Sequence, residues 1–216
     1  MNRIFVLSPA SCNGLRARWL LKKNSRADLA LRLRGAGAPL GEVFTYLSAL
    51  YFRGKLTYAQ TYAEPPPGCP GILIITPTAG LVPHDSSIQL TKLRGFSRVP
   101  IHLKNRLYCS SLRHSARKLA VNLDPDCELI LLGSVGTRKY LDILAPIFGE
   151  RLRIPAEFVG LGDMSRGGLL LRCVRENCQL NYIDAASVTT PGPKRSRMNR
   201  PNIGKQPEMG PEDLSA

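Results

Sequence analysis

The chain has 216 residues, of which 44% are apolar, and this length suits one domain with a packed core. Lys and Arg number 30 against 16 Asp and Glu, so the formal net charge is +14, which favours nucleic acid or an anionic small molecule as partner. No apolar run approaches the roughly 20 residues of a membrane helix. No signal-peptide pattern opens the chain, and the six cysteines form no C-x-x-C pair. We therefore expect a cytoplasmic protein with reduced thiols, no membrane partner, no metal site and no cofactor; the oligomeric state stays open.

Short aliphatic runs predict the strands of one sheet. Residues 4–7, 72–75, 129–132 and 152–154 are typical of strands covered on both faces, and residues 180–183 are a plausible fifth. Apolar residues recur at helical spacing between them: Leu40, Val43, Phe44, Leu47 and Leu50; Leu56, Ala59 and Ala63; Tyr108, Leu112, Ala116, Leu119 and Leu123; Tyr140, Leu141, Leu144 and Phe148. This alternation predicts an α/β fold: a mostly parallel sheet of about five strands, covered by helices, in a single layered domain.

The composition changes after Ala186. Five prolines are spread through polar and charged residues with almost no apolar content: Pro191, Pro193, Pro201, Pro207 and Pro211. Such a segment cannot bury enough surface to offset the entropy lost on ordering. We predict a domain over residues 1–186 and a disordered, basic, proline-rich tail over residues 187–216.

Polar residues and glycines gather directly after four predicted strands. The carboxyl ends of parallel strands share one edge of an open α/β sheet, and ligands bind outside that edge. The residues that we expect to contact a ligand there are Ser8 and Ser11 after the first strand, Thr76 and Gly80 after the second, Gly133, Ser134, Thr137, Lys139 and Tyr140 after the third, and Ser165 and Arg166 after the fourth.

Residues 133–140 are the best single candidate for an anion site. Glycines let a backbone approach closely, Ser134 or Thr137 can cap the next helix, and Lys139 adds positive charge. The same pattern fits an ordinary strand-to-helix turn with a Thr cap. The spacings of a Walker P-loop and of a dinucleotide-binding loop are both missing, which disfavours those two sites.

Two aspartates in these loops are candidate catalytic bases, although either could instead cap a turn. Asp85 follows the second strand, and Asp163 stands before the last helix, where Ser165 is the predicted N-cap. Arg166 in the first turn of that helix opposes the helix dipole, which hints at ligand contact; an exposed arginine of little cost is the alternative.

The stretch from Lys92 to Leu123 carries eight basic residues and no acidic one. Arg106, Arg113 and Arg117 share a helix face because they are seven and four residues apart. A nucleic-acid backbone could follow this stretch, and a solvated face without a partner is the alternative. The residues that we expect to contact nucleic acid are Arg98, Lys104, Arg106, Arg113, Arg117 and Lys118.

Several motifs occur in an order that is found in a known family. They are Ser8-Pro9-Ala10, Leu50-Tyr51-Phe52-Arg53-Gly54-Lys55, residues 75–85 with Gly-Leu-x-x-Pro-x-Asp, residues 128–140, and Met164-Ser165-Arg166-Gly167-Gly168-Leu169. In these motifs the chain resembles the YaaA family of peroxide-stress proteins and its uncharacterised relatives. The resemblance implies an α/β protein with a positively charged cleft, and the family's named member is associated with DNA binding and with limiting oxidative damage. The chain departs from the family at Ser11, where the family has lysine, and at residues 89–92, which replace an aromatic-rich loop.

Three functions stay open on the sequence alone. The first is binding of nucleic acid or a nucleotide-type anionic ligand in the strand-end cleft. The second is an enzyme acting on a nucleobase, nucleoside or phosphorylated small molecule, with Asp85 or Asp163 as base. The third is a non-catalytic interaction module.

Overall fold

A computed structural model of the chain describes residues 2–134 and 136–188. The strands in this part of the chain are β1 (Arg3–Leu7), β2 (Ala38–Pro39), β3 (Ile72–Thr76), β4 (Gly80–Pro83), β5 (Ser87–Ile88), β6 (Glu128–Leu132), β7 (Leu152–Pro155) and β8 (Tyr182–Asp184). Six of them form one sheet, and β2 and β5 form a separate antiparallel pair. The expected α/β class is confirmed, with six strands in the main sheet instead of about five.

Helices separate most of the strands. The α-helices of the described residues are α1 (Leu15–Leu21), α2 (Asp28–Arg34), α3 (Leu40–Ser48), α4 (Leu50–Tyr62), α5 (Leu90–Arg98), α6 (Arg106–Asn122), α7 (Leu141–Phe148) and α8 (Asp163–Arg175). The apolar stripes predicted for α3, α6 and α7 are largely buried. In α4 the predicted stripe lies partly in the core: Ala59 is buried, and Leu56 and Ala63 are half-buried against it. The pattern missed Tyr51, Lys55 and Tyr58, which are also buried.

The sheet has a reversal of strand order at its centre. Its strands lie in the order β4-β3-β1-β6-β7-β8, and β3, β1, β6 and β7 are parallel. The chain goes from β1 to β3 on one side and then crosses to β6 on the other side. Loops that leave the carboxyl ends of β1 and β6 therefore diverge and open a crevice, which is where ligands bind in open α/β sheets.

The two outer strands run against the central four. β4 is antiparallel to β3, and β8 is antiparallel to β7. Residues 80–83 read as loop in the sequence, but they return along β3 as a strand, so the chain comes back to the amino edge, where the His84 amide donates to the Ile72 carbonyl at 3.2 Å. The predicted place of Asp85 at the carboxyl edge is therefore wrong.

Helices cover both faces of the central strands. Phe5 and Leu7 of β1 pack with residues of α1 to α5 and α8, whereas Ile4 and Val6 pack with α6 and α7. Successive side chains of a strand point to opposite faces, so the unbroken aliphatic run of β1 contributes to both cores. The result is one domain of three layers.

None of the described helices combines the length and the apolar character needed to cross a bilayer. The predicted tail, residues 187–216, lies outside the described residues apart from Ser187 and Val188, which belong to a short 3-10 turn (Ala185–Val188).

Candidate functional site

The loops that follow β1 and β6 touch at the switch point. The Ser8 amide donates to the Leu132 carbonyl at 3.0 Å, which extends the ladder by one bond beyond the strands. Gly133 permits the contact, because a Cβ atom at this position would stand 3.0 Å from Ser8 Cβ. Gly133 is buried and sets the approach of the two loops, which is a structural role; its contact with a ligand stays a prediction.

Helices α4 and α8 cross at two glycines beside this contact. A Cβ atom on Gly54 would stand 2.7 Å from the Gly167 carbonyl oxygen, and one on Gly167 would stand 2.9 Å from Tyr51 Cα. The backbones approach this closely only because neither residue has a side chain. The crossing brings Lys55, next to Gly54, and Arg166, next to Gly167, to the same side of the sheet edge.

Lys55 is a buried lysine held against Ser8. Its Nζ donates to the Ser8 carbonyl oxygen at 2.5 Å and to Ser8 Oγ at 2.8 Å, and it lies 4.4 Å and 4.9 Å from the ring centroids of Tyr51 and Phe52. Burial lowers the pKa of Lys55 to about 7; Asp163 acts in the opposite direction, while Arg166 and Lys139 lower it further. Near neutral pH a large share of these amines therefore carries no charge.

Arg166 anchors the start of α8. Its Nε and Nη2 donate to the Phe158 carbonyl at 3.2 and 2.8 Å, and its Nη1 donates to Asp163 Oδ1 at 3.2 Å. Arg166 is 6% exposed, so the alternative of an exposed arginine is wrong, and its hydrogen bonds point to protein groups behind the cleft.

Tyr51 is a lining residue of the cleft whose hydroxyl is buried. The side chain is buried, and among the described residues its hydroxyl has no hydrogen-bond partner. Burial raises the pKa of Tyr51 to about 12, although the nearby Arg166 acts to lower it. The loss of hydration of a buried polar atom without a partner is uncompensated, so such an atom calls for an explanation, of which a role in catalysis is one.

A cavity of about 420 Å³ opens in front of these residues. Its walls are residues 8–13 after β1, Ser48 and Tyr51, Pro77 after β3, Phe96 and residues 99–101, then Ser134, Lys139 and Tyr140 after β6, and Asp163 at the start of α8. The volume falls within the range of small-ligand sites. Lys55 is not part of the wall; it stands behind Ser8.

Six of the residues that the sequence singled out as a ligand or catalytic site line this cavity: Ser8, Ser11, Ser134, Lys139, Tyr140 and Asp163. Tyr140 is buried, and burial raises the pKa of its hydroxyl while a hydrogen bond with the Ser8 side chain acts to lower it. The β1 and β6 loops therefore supply most of the site.

Thr76 and Gly80, which the sequence predicted to contact a ligand, form a turn instead. Thr76 Oγ1 donates to the Gly80 carbonyl at 2.9 Å and accepts from the Ala79 amide at 3.1 Å, which closes the hairpin between β3 and β4. Gly80 has φ of +66°, and a Cβ atom there would collide with Ser111 and Ser115 of α6. Both residues were wrongly placed at the cleft, because the strand after them turns back instead of leading to a helix.

Three predicted details of the helix starts are also wrong. Ser165 lies in the exposed first turn of α8, whose N-cap is Gly162. Thr137 is exposed and neither it nor Ser134 caps α7, whose N-cap is Tyr140 without a side-chain bond. Neither Thr137 nor Ser165 reaches the cavity wall.

The basic residues predicted to contact nucleic acid are all exposed. They are Arg98, Lys104, Arg106, Arg113, Arg117 and Lys118, and none of them pairs with an acidic side chain among the described residues. Arg98 and Lys104 flank residues 99–101 of the cavity wall, whereas Arg113 and Arg117 lie farther along α6 beside α7. The stretch thus runs from the cleft across an outer face.

Sequence reasoning missed Lys55 and Tyr51 as site residues. A signal was present, because Tyr51, Lys55, Tyr58 and Tyr62 recur at intervals of four, three and four, which places a lysine in the middle of an aromatic helix face. A lysine at such a position is buried, and a buried lysine needs a partner.

These features define an α/β protein with a small, partly enclosed cleft at a topological switch point and a buried lysine beneath it. No protein-family model, no curated protein and no solved structure matches the chain.

Proposed function

We propose that the protein binds a small nucleotide-type anionic ligand in the cavity between the β1 and β6 loops. The observation that supports the proposal is that residues from these two loops and from the start of α8 line one cavity. A concavity of this kind favours a small ligand over a flat duplex.

The charges around the cavity support an anionic group on the ligand. Lys139 lines the wall, and its Nζ lies 5.1 Å from the centroid of the Tyr140 ring. Asp163 is the one acidic side chain of the wall, and it is paired with Arg166. A phosphate near Lys139 would therefore meet a positive field, and the hydroxyls of Ser11 and Ser134 are placed to donate to it.

Calorimetric titration with AMP, GMP, CMP and UMP tests the proposal, with the four nucleosides as comparison. We expect at least one monophosphate to bind more tightly than its nucleoside. Lys139→Ala should weaken that binding about tenfold, the size of a charged hydrogen bond, and the exposed Lys22→Ala should leave it unchanged. If no monophosphate binds, or if both variants weaken binding equally, the proposal is wrong.

A second candidate function is binding of nucleic acid along the basic face, in line with the resemblance to YaaA. Six exposed basic side chains without acidic partners in the described residues favour it. Contacts to about six phosphates predict that affinity for a DNA oligonucleotide falls about 10³-fold between 50 and 200 mM salt. Combined Arg113→Ala and Arg117→Ala should reduce the salt dependence, and an affinity independent of salt would contradict this function.

We also propose a cytoplasmic location. All six cysteines are free thiols, and four of them are buried. Thiols persist in reducing compartments, whereas proteins of oxidising compartments commonly pair theirs.

A further inference from the structure

We propose that Ser8 and Lys55 are a nucleophile and its base, and that the protein hydrolyses a small carboxylic ester or thioester in the cavity. This activity goes beyond the binding of a nucleotide-type ligand, and its test requires no nucleotide.

The positions of the two side chains carry the inference. Ser8 lines the cavity, while Lys55 is fully enclosed behind it with Nζ 2.8 Å from Ser8 Oγ. That distance is within the reach required of a base that takes the proton of a nucleophile. Ser8 lines the cavity and Lys55 does not, so we assign the attack on a substrate to the serine oxygen and the proton transfer to the amine beside it.

The surroundings of Lys55 fix the position of its amine and exclude solvent from it. The rings of Tyr51 and Phe52 stand beside Nζ, and the Ser8 carbonyl fixes a second hydrogen bond of the amine. The glycine crossing of α4 and α8 sets the position of the lysine, because a Cβ atom on Gly54 would push the two helices apart. Lysines that act as bases occupy such apolar, enclosed positions.

The charged and titratable groups that face Lys55 come from three elements. They are Tyr51 on the same helix, Lys139 and Tyr140 after β6, and Asp163 and Arg166 on α8. Arg166 and Lys139 oppose a charge on Lys55, and Asp163, which favours it, is paired with Arg166. With the pKa of Lys55 at about 7, its neutral form has a lone pair that can accept the Ser8 proton.

Tyr51 supplies a hydrogen-bond donor for the negative charge of the reaction. Tyr51 lines the same cavity, and its hydroxyl is buried and accepts or donates no hydrogen bond in the described part of the chain. A donor that stands ready in a site of low dielectric stabilises the oxygen of a tetrahedral intermediate.

The reaction balances with water as the second substrate. Ser8 Oγ forms a bond to the carbonyl carbon while its proton passes to Lys55 Nζ, and the carbonyl electrons move to the oxygen. The bond to the leaving group then breaks, and the alcohol or thiol takes the proton from Lys55 Nζ, which lies 2.8 Å from the Ser8 oxygen bonded to the reacting carbon. Water then attacks the acyl carbon and gives a proton to Lys55. The bond between this carbon and Ser8 Oγ breaks, Ser8 regains its proton from Lys55, and the carboxylic acid leaves.

The shape of the cavity limits the substrate class. A volume of about 420 Å³ suits a small molecule. Lys139 in the wall favours a substrate that carries an anionic group away from the carbonyl.

Reaction with a fluorophosphonate probe, read by peptide mass spectrometry, tests the pair directly. Ser8 Oγ displaces fluoride from phosphorus, so the peptide that contains Ser8 gains the phosphonyl mass. We expect labelling of Ser8, loss of labelling in Ser8→Ala, at least a hundredfold slower labelling in Lys55→Met, and unchanged labelling in the exposed controls Ser110→Ala and Lys22→Met.

If Lys55→Met fails to fold, the pH dependence of the labelling rate of the unmodified protein tests the proposal instead. The labelling rate should rise with pH and level off above a midpoint near 7, because Lys55 acts as base only when neutral. Failure of Ser8 to react, labelling unaffected by Lys55→Met, or a rate that keeps rising past pH 9 would overturn the proposal. None of these results depends on whether AMP binds.

Discussion

The loops after β1 and β6 and the turn after β3 leave the carboxyl edge of the sheet with similar residues but have different roles. The loops after β1 and β6 diverge and border the cavity, with Ser8, Ser11 and Ser134 on its wall. The turn after β3 also has hydroxyls and a glycine, but its Thr76 bonds back to the Gly80 carbonyl. Ser115 of α6 then covers the turn and accepts a hydrogen bond from the Leu81 amide at 2.8 Å.

The difference lies in where the next element goes. After β1 and β6 the chain leaves the sheet edge for a helix, so polar groups stay open to the crevice. After β3 the chain reverses at once into β4, and the polar groups of the hairpin form hydrogen bonds within the hairpin. Residue type alone therefore does not distinguish a ligand loop from a tight turn; the direction of the following strand decides it.

The largest change in the free energy of unfolding that we expect is caused by a substitution in the hairpin. In Gly80→Ala the new Cβ atom would stand 2.3 Å from the Ser111 carbonyl oxygen, at a φ of +66° that alanine rarely adopts. The free energy of unfolding should fall by about 3 kcal/mol, measured by urea denaturation. Affinity for a cleft ligand such as AMP should not change under conditions where the variant is folded.

A control for that experiment is Gly95→Ala in α5, where the new methyl group meets nothing within 4 Å. Alanine favours a helix over glycine, so the free energy of unfolding should rise by up to about 1 kcal/mol. A similar loss of stability in both variants would show that the contact between Gly80 and α6 is not the cause.

The next largest effect is a pH dependence of the free energy of unfolding, caused by the buried amine of Lys55. Between pH 7 and 8.5 the unfolded chain holds the Lys55 proton, because an ordinary lysine titrates near 10.5, whereas the folded chain has released it at a pKa of about 7. Unfolding therefore takes up a proton, and stability rises with pH. The free energy of unfolding, relative to Lys55→Met, should rise by about 1.5 kcal/mol over this range.

The exposed Lys22→Met is the control for that measurement, and relative to it the unmodified protein should show no such slope. Using differences between variants removes the contribution of the cysteines and tyrosines, which is common to all of them. If the difference in the free energy of unfolding between the unmodified protein and Lys55→Met does not change with pH, Lys55 keeps its proton in the folded state.

The smallest effects come from a matched pair of hydroxyl deletions. Thr76→Val removes both hydrogen bonds of the hairpin and should cost about 1 kcal/mol of stability without affecting AMP binding. Ser134→Ala should change stability by less than about 0.5 kcal/mol yet weaken AMP binding about fivefold. The comparison of the two turns fails if both variants affect stability alone.

Much of the fold could be predicted because the strands have unbroken aliphatic runs. Those of β1, β3, β6 and β7 are buried on both faces, so each has the same simple pattern in the sequence. β4 was missed because Gly80-Leu81-Val82-Pro83 is short and carries turn residues at both ends. Because the sequence analysis did not predict that β4 reverses the direction of the chain, it placed Thr76, Gly80 and Asp85 wrongly at the cleft.

The cleft was predicted in part for a different reason. Ser8, Ser134 and Asp163 follow parallel strands, so topology alone brings them to one edge. Lys55 and Tyr51 come from the first two turns of α4, and the crossing of Gly54 with Gly167 brings them there. A contact between two helices far apart in sequence has no local pattern.

The most direct test of the central claim is an NMR titration of the amide resonances with the tightest-binding nucleoside monophosphate. We predict shifts at Ser11, Ser134 and Lys139, on the wall of the cavity, and none at Gly80 or in the rest of β4, which lie away from that wall. Shifts confined to α6, or shifts at the hairpin with none in the β1 and β6 loops, would contradict the account.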